Sequence, residues 1–351
     1  MYILFAIIIF GMLIAVHEFG HFIVAKACGV KVNEFSIGMG PLLFSRERGE
    51  TLYSLRLLPI GGFCAMEGED EDSDDERAFS RAAGWKKFLI LIAGALFNLI
   101  TGIVISLIIY SSAVTYVEPV IADFMDGCPM DSQEYLMVGD EIHSVNGRRV
   151  LLTDDLGIIM MLEGDAPIDM KVRRDGQLIT LHDVPMVLRE YEVEGETVLR
   201  YGLYFTARPA GLAEKLKLGF YTAVNFARNV FWSLEMLFEG TAGFDDLSGP
   251  VGIVKTMSDV GEASPNIGAA LLNLFHFGAF LSVNLCVMNL LPIPALDGGR
   301  IFLLLVNGIT MLLFKRRIPE RLEAMVHIVG MVLLMILMAA VMLNDVLKIF
   351  T

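Results

Sequence analysis

Four long apolar stretches punctuate this chain of 351 residues, near 1–25, 86–113, 268–291 and 323–347. A helix that crosses a bilayer needs about 20 mostly apolar residues, so each stretch predicts a membrane span. Between the second and third lies 115–210, a region of ordinary polarity and long enough for one domain of about 100 residues. At 30–65 the period changes. There "VNEFSIGMGPLLFS" and "TLYSLRLLPIGGFCAM" alternate apolar with polar positions and carry Gly and Pro punctuation. This pattern predicts strands of a small sheet lying at, or dipping into, the membrane surface. Such backbone is tolerated at membrane depth only where protein or a water-filled cavity satisfies it.

Within 115–210 the pattern is that of short strands joined by turns. "LMVGDEIHSVNGRRV" at 136–150 reads as strand, turn, strand, and its Asn146-Gly147 pair is a strong tight-turn signal. Asp175-Gly176 marks a second hairpin, and 153–163 suits a helix. From about 211 to 240 a Phe- and Leu-rich stretch with scattered charges predicts an amphipathic helix lying flat on the outer membrane surface, within a surface segment that extends to 267. The expected class is a polytopic α-helical membrane protein with about four spans. In order, these are a first span (1–25), a membrane-associated β-segment (26–66), an acidic cytoplasmic loop (67–85) and a second span (86–113). A β-rich domain (115–210), the surface segment (211–267), a third transmembrane helix carrying the LDG motif (268–314) and a fourth span (323–347) complete it.

Composition sharpens this reading. The chain is 55% hydrophobic, with a mean hydropathy of +0.60, too apolar for an ordinary soluble domain. "MYILFAIIIFGMLIAV" lacks the basic flank and small-residue cleavage site of a signal peptide and runs into "HEFGH", so it is expected to be a retained span. The net charge of −14 offers no basic face for a nucleic acid. The acidic run at 67–76 reads as a solvated loop. Cys28, Cys64, Cys128 and Cys286 are scattered, with no CxxC pair, and predict neither a disulfide framework nor a cysteine zinc site.

Lysines and arginines give a topology. Lys26, Lys31, Arg46, Arg48, Arg56, Arg77, Arg81, Lys86 and Lys87 lie between the first two spans. Lys315, Arg316, Arg317 and Arg321 precede the last one. Basic loops stay in the cytoplasm, which with four spans puts both termini and the 115–210 domain outside it.

The sharpest chemical signal is His17-Glu18-Phe19-Gly20-His21. On a helix, residues four apart share a face, so two imidazoles can hold one metal ion while the glutamate beside them acts as base. With 6 His and 41 Asp plus Glu in 351 residues, chance would give such a match in roughly 1 of 100 chains of this composition. Ionisable groups inside an apolar span default to a functional reading. Catalytic zinc takes three protein ligands and leaves a fourth position open. The best third candidate is Asp297 in "NLLPIPALDGGR", where Pro292 and Pro294 break the apolar run and Gly298 and Gly299 allow a close turn. His276 and His327 have no ligand-like spacing and read as bundle histidines; His143 and His182 carry no special signal.

"HEFGHF" in the first span and "NLLPIPALDGG" in the third resemble the site-2 protease family of intramembrane zinc metalloproteases, and more narrowly its bacterial RseP type. "LLPIGGFCAM" is similar to that family's re-entrant β-loop, "ERAFSRAAGWKKFLILIAGALFN" to its approach to the second span, and "LSGPVGIV" to the segment before the third. The pattern "L-x-x-G-D-x-I-x-x-V-N-G" resembles a PDZ domain. The family usually has Pro where Ala95 stands; there is one PDZ-like domain rather than two, and Tyr135 replaces a common Gly of the carboxylate-binding loop.

The resemblance implies a Zn²⁺ cofactor held by His17, His21 and Asp297, with Glu18 as catalytic base and Asn289 and Asn98 toward the substrate. It implies a multi-pass protein of the cell membrane, acting on transmembrane or single-pass membrane proteins. The PDZ-like domain would be extracytoplasmic. His17 would lie about 24 Å along its helix, toward the cytoplasmic side. Two other classes stay open at this point: a silent membrane scaffold binding partners through the PDZ-like domain, and a metal transporter. The intact Glu18 argues against the first; the presence of a single ionisable constellation argues against the second.

Overall fold

The computed structural model describes residues 2–350 apart from 70–72, 165–167, 194, 244–246 and 316–318. Part of the acidic run, and Arg316 and Arg317 of the basic loop, therefore lie outside the described residues. The chain divides into two compact units, residues 1–105 with 233–351 and residues 106–232.

The first unit opens with α1 (Tyr2–Ala27), then an antiparallel ribbon of β1 (Val32–Arg48) and β2 (Thr51–Met66), then α2 (Gly84–Ser111). The strands expected at 30–65 are these two. Glu34, Phe35, Ser36 and Ile37 each pair twice, with residues 62–65 on one side and 52–55 on the other, so both strands bend back on themselves, and Gly38 and Gly61 take positive φ, +84° and +96°. The inner part of the ribbon is fastened to α1 by aromatic contacts, including Phe22 with Phe35 at 5.0 Å and Tyr53 with Phe22 at 5.8 Å. Ala25, Val32, Cys64, Met66, Ile90 and Leu91 form the buried cluster there. Farther out the ribbon is bare: Met39, Leu42, Leu43, Phe44, Leu57 and Leu58 are all exposed.

The second unit holds β3 (Thr115–Phe124), β4 (Glu141–Val145), β5 (Arg148–Arg149), α3 (Asp155–Glu163), β6 (Ile168–Arg174), β7 (Gln177–Val184), β8 (Arg189–Val193), β9 (Glu196–Arg200) and β10 (Leu203–Pro209). A six-stranded sheet runs β10-β3-β4-β6-β7, with β5 paired to β4; β8 and β9 form a separate hairpin. The two turns read from sequence close hairpins here. Asn146 and Gly147 (φ 46° and 80°) join β4 to β5, and Asp175 and Gly176 (φ 51° and 80°) join β6 to β7. The core gathers Ile121, Leu136, Ile142, Val145, Ile159, Met170 and Val172.

Two long helices follow. α4 (Leu212–Glu239) begins in the second unit, where Asn225 and Arg228 bind the Asp155 carboxylate at the start of α3. α5 (Pro250–Glu262) belongs to the first unit. The amphipathic helix expected over 211–240 is α4, and the rest of the segment to 267 holds α5.

The chain ends with α6 (Ile267–Leu290), α7 (Asp297–Phe314) and α8 (Glu320–Phe350). Here the structure corrects the sequence reading: the single span expected over 268–314 is two helices. Pro292 and Pro294 cannot continue α6, and Ala295 takes φ 79°, in the left-handed region rare for a residue with a side chain. Among the described residues five helices, not four, are long and apolar enough to cross a membrane: α1, α2, α6, α7 and 324–348 of α8. α8 is tied to α5 by Asp345, whose buried carboxylate accepts from the N–H groups of Gly249 (3.2 Å) and Gly252 (2.8 Å). An acidic group suits a helix N-terminus, where unpaired N–H groups and the helix dipole both favour negative charge.

Candidate metal centre

α1 and α2 cross at glycines. A Cβ on Gly20 would lie 2.6 Å from the Ala93 carbonyl oxygen, so only hydrogen permits this approach. Gly94 faces the opposite way across the same contact. A side chain there would collide with the rings of His17 and His21. The helices thus meet at the histidine pair, and the wall behind it is bare backbone.

Both imidazoles are buried, and each has a neighbour on α2. His21 Nδ1 lies 2.7 Å from the Ile90 carbonyl oxygen, which can only accept. His21 therefore carries its proton on Nδ1 and turns a lone pair on Nε2 inward. His17 Nδ1 lies 3.4 Å from the Asn98 amide nitrogen. The two ends of an amide are interchangeable in shape. Turned over, Asn98 offers His17 Nδ1–H its Oδ1, an atom otherwise buried without a partner. His17 then presents Nε2 in the same way as His21. Asn98 itself is fully buried, and its backbone carbonyl oxygen accepts from Ser282 Oγ of α6 at 2.7 Å. Expected at the substrate, it has no surface to offer one: it stands behind His17.

The third group arrives from the far end of the chain. Asp297 is the first residue of α7, and bare backbone at Gly298 and Gly299 lets the turn fold tightly against Leu290, Leu291 and Ile293. Asp297 Oδ2 lies 3.1 Å from His17 Nε2 and 3.3 Å from His21 Nε2, while the two Nε2 atoms are 3.2 Å apart. This is the one group of three or more His, Cys, Asp or Glu able to hold a metal among the described residues; His276 and His327 do not join it.

The triangle tests whether zinc fits. Zinc bonds of about 2.0–2.1 Å at tetrahedral angles separate neighbouring ligand atoms by about 3.3–3.4 Å. The three edges match that spacing to within a few tenths of an ångström. The chemistry agrees. Asp297 Oδ2 is buried and accepts no hydrogen bond, and it faces two imidazole lone pairs. One proton can join two of these atoms, but a divalent cation joins all three. Buried acceptors packed together without a cation would be costly.

Glu18 is partly buried, with its Cγ 3.5 Å from where a Cβ on Gly62 of β2 would lie. The ribbon therefore runs past the carboxylate. Cys64, two residues farther along β2, is no rival ligand: its sulfur does not join the clustered ligand atoms of His17, His21 and Asp297. Asn289 sits half-buried in the last turn of α6, ahead of the proline-broken turn. The clearance that Gly94 gives the rings and the contact from Ser282 were not read from the sequence. A glycine that clears space for a ring carries no local signature, since only the fold reveals its neighbour.

The sequence profile of peptidase family M50 matches residues 5–337. A protein named as a zinc metalloprotease from Clostridium perfringens is 36% identical over 349 residues, covering 99% of this chain and 98% of its own. One of the same designation from Clostridium acetobutylicum is 37% identical over 344 residues, covering 98% and 97%. The regulator of sigma-W protease RasP of Bacillus subtilis is 28% identical over 426 aligned positions, covering 98% of both chains.

Proposed function

Because the chain belongs to peptidase family M50, the site-2 proteases, and is a zinc metalloendopeptidase, we propose that it cuts other membrane proteins within or beside their transmembrane segments. The observation that carries this reading is the meeting of His17, His21 and Asp297 around one point, beside a glutamate on the same helix. His17, His21 and Asp297 would hold the zinc. The metal would supply Lewis-acid polarisation of a scissile carbonyl. Glu18 takes a proton from the attacking water and returns it to the leaving amine. His21 is held in the ligating tautomer by Ile90, and His17 by Asn98. Asn289 faces the substrate.

A helical substrate hides its peptide bonds in internal hydrogen bonds and must unwind before attack. The β1–β2 ribbon offers unpaired strand edges beside Glu18, so the unwound segment adds to it as a further strand. Proline substitutions along that edge then slow cleavage of a helical substrate; unchanged cleavage refutes strand addition.

Sidedness follows from the basic loop between α1 and α2, which does not depend on how many later helices cross. That loop is cytoplasmic, the metal centre lies toward the same side, and the PDZ-like 115–210 domain lies on the other. Anti-sigma factors or remnant signal peptides suit such an enzyme as substrates.

The direct experiment is Glu18→Gln. It keeps the zinc and lowers cleavage of a transmembrane reporter by about 10²- to 10⁴-fold, the usual worth of a general base. Undiminished cleavage by this variant refutes the mechanism.

A further inference from the structure

The helix that brings Asp297 to the site is weakly held beyond its first turn. Gly298 and Gly299 are its buried residues, while Phe302, Leu305, Ile309, Leu312 and Phe314 are exposed. Two side chains of the first turn reach back. Ile301 packs against the cluster of Ala25, Val32, Cys64 and Ile90. Arg300 donates from Nη1 to Glu69 Oε1.

Glu69 follows the end of β2 by three residues, and its other oxygen accepts from the Met66 N–H at 3.4 Å. One carboxylate thus straddles the end of the ribbon and the start of α7, 231 positions apart in the chain. The pair is partly shielded, with side-chain exposures of 32% for Arg300 and 18% for Glu69.

Arg300 also stands three residues after Asp297. Opposite charges at that spacing on a helix are neighbours, with Cβ atoms about 5–6 Å apart, and pair readily. A guanidinium on Asp297 would compete with a metal for the same oxygen. We propose that Glu69 is a positioning residue that traps Arg300 and so keeps the Asp297 carboxylate available to the metal. The proposal rests on reading Asp297 as a ligand. It assigns Glu69 and Arg300 no contact with substrate. Their effect on zinc retention passes through Asp297.

The test follows zinc rather than turnover. Full-length protein in detergent is loaded with Zn²⁺ and challenged with a chelator, and the rate of zinc loss is read from the chelator's colour. Glu69→Gln speeds the loss by about 10-fold or more, the scale on which groups supporting a ligand act. Adding Arg300→Gln restores the rate to near that of the unaltered protein, because the competitor is gone. Arg81→Gln, which removes a cation paired with the exposed Asp74, leaves the rate unchanged. Thermal melts accompany every variant to confirm folding. If Glu69→Gln holds zinc normally, or if the double variant is no better than Glu69→Gln, the trap is refuted. A role in packing alone would produce that second result. If His21→Ala binds as much zinc as the unaltered protein, the metal-centre reading fails instead, whatever Glu69 does.

Discussion

His17 and His21 stand in the second half of a 26-residue helix, backed by the bare wall of Gly94 and oriented by Ile90 and Asn98 of α2. Asp297 instead opens a helix that is largely exposed, after a turn broken by two prolines and strained at Ala295. The imidazoles sit where α1 and α2 approach closely at Gly20 and Gly94, and the carboxylate is delivered by a mostly exposed helix. Substrate must approach a site of this kind from somewhere. A centre with two fixed ligands and one carried on a lightly anchored element can open on one side without losing the geometry of the other.

Three substitutions probe that asymmetry. Gly94→Val strikes the fixed side directly by pushing a branched side chain into both rings. Zinc affinity falls by more than the roughly 100-fold that loss of a supporting group can cost. Metal content after dialysis measures it, and normal content would mean that the crossing yields. Asn98→Ala leaves the rings in place and removes only the partner of His17 Nδ1. Zinc affinity drops by about 10- to 100-fold, read by competition with a chelator of known strength.

The smallest effect on the metal belongs to Asp345→Ala on the peripheral side. It leaves the N–H groups of Gly249 and Gly252 without their acceptor, which costs about 1–3 kcal/mol and lowers the melting temperature. α8 also lies so close to the turn before Asp297 that Gly330 meets Pro294 with no room for a side chain. Loosening α8 therefore accelerates zinc loss by about threefold, since one ligand of three is then less well placed. A loss as large as that of Gly94→Val would overturn the comparison.

What the sequence disclosed follows the same division. His17, Glu18 and His21 are visible because helical spacing places them together within one apolar stretch, and no tertiary knowledge is needed. The Asn-Gly and Asp-Gly turns are visible because positive φ selects those residues. The break between α6 and α7 was signalled by Pro292 and Pro294, yet the apolar residues on either side merged into one stretch. Hydropathy measures length without seeing direction. The supporting role of Asn98, the clearance at Gly94 and the Glu69–Arg300 contact have no local trace at all. Each depends on elements dozens to hundreds of residues apart coming within a few ångströms.

The bare outer half of the β1–β2 ribbon has a practical consequence. Residues 42–48 of β1 pair on one side only, with 51–56 of β2, and this open edge carries exposed Leu42, Leu43 and Phe44, with Leu57 and Leu58 exposed beside it. Natural proteins hide such edges or guard them with charge, because bare ones join to one another. In a bilayer, lipid can cover this ribbon. Once the protein is extracted, the ribbon becomes its stickiest feature. How well a detergent keeps the molecules apart will then depend on how well it coats this short ribbon, more than on how well it coats the helices.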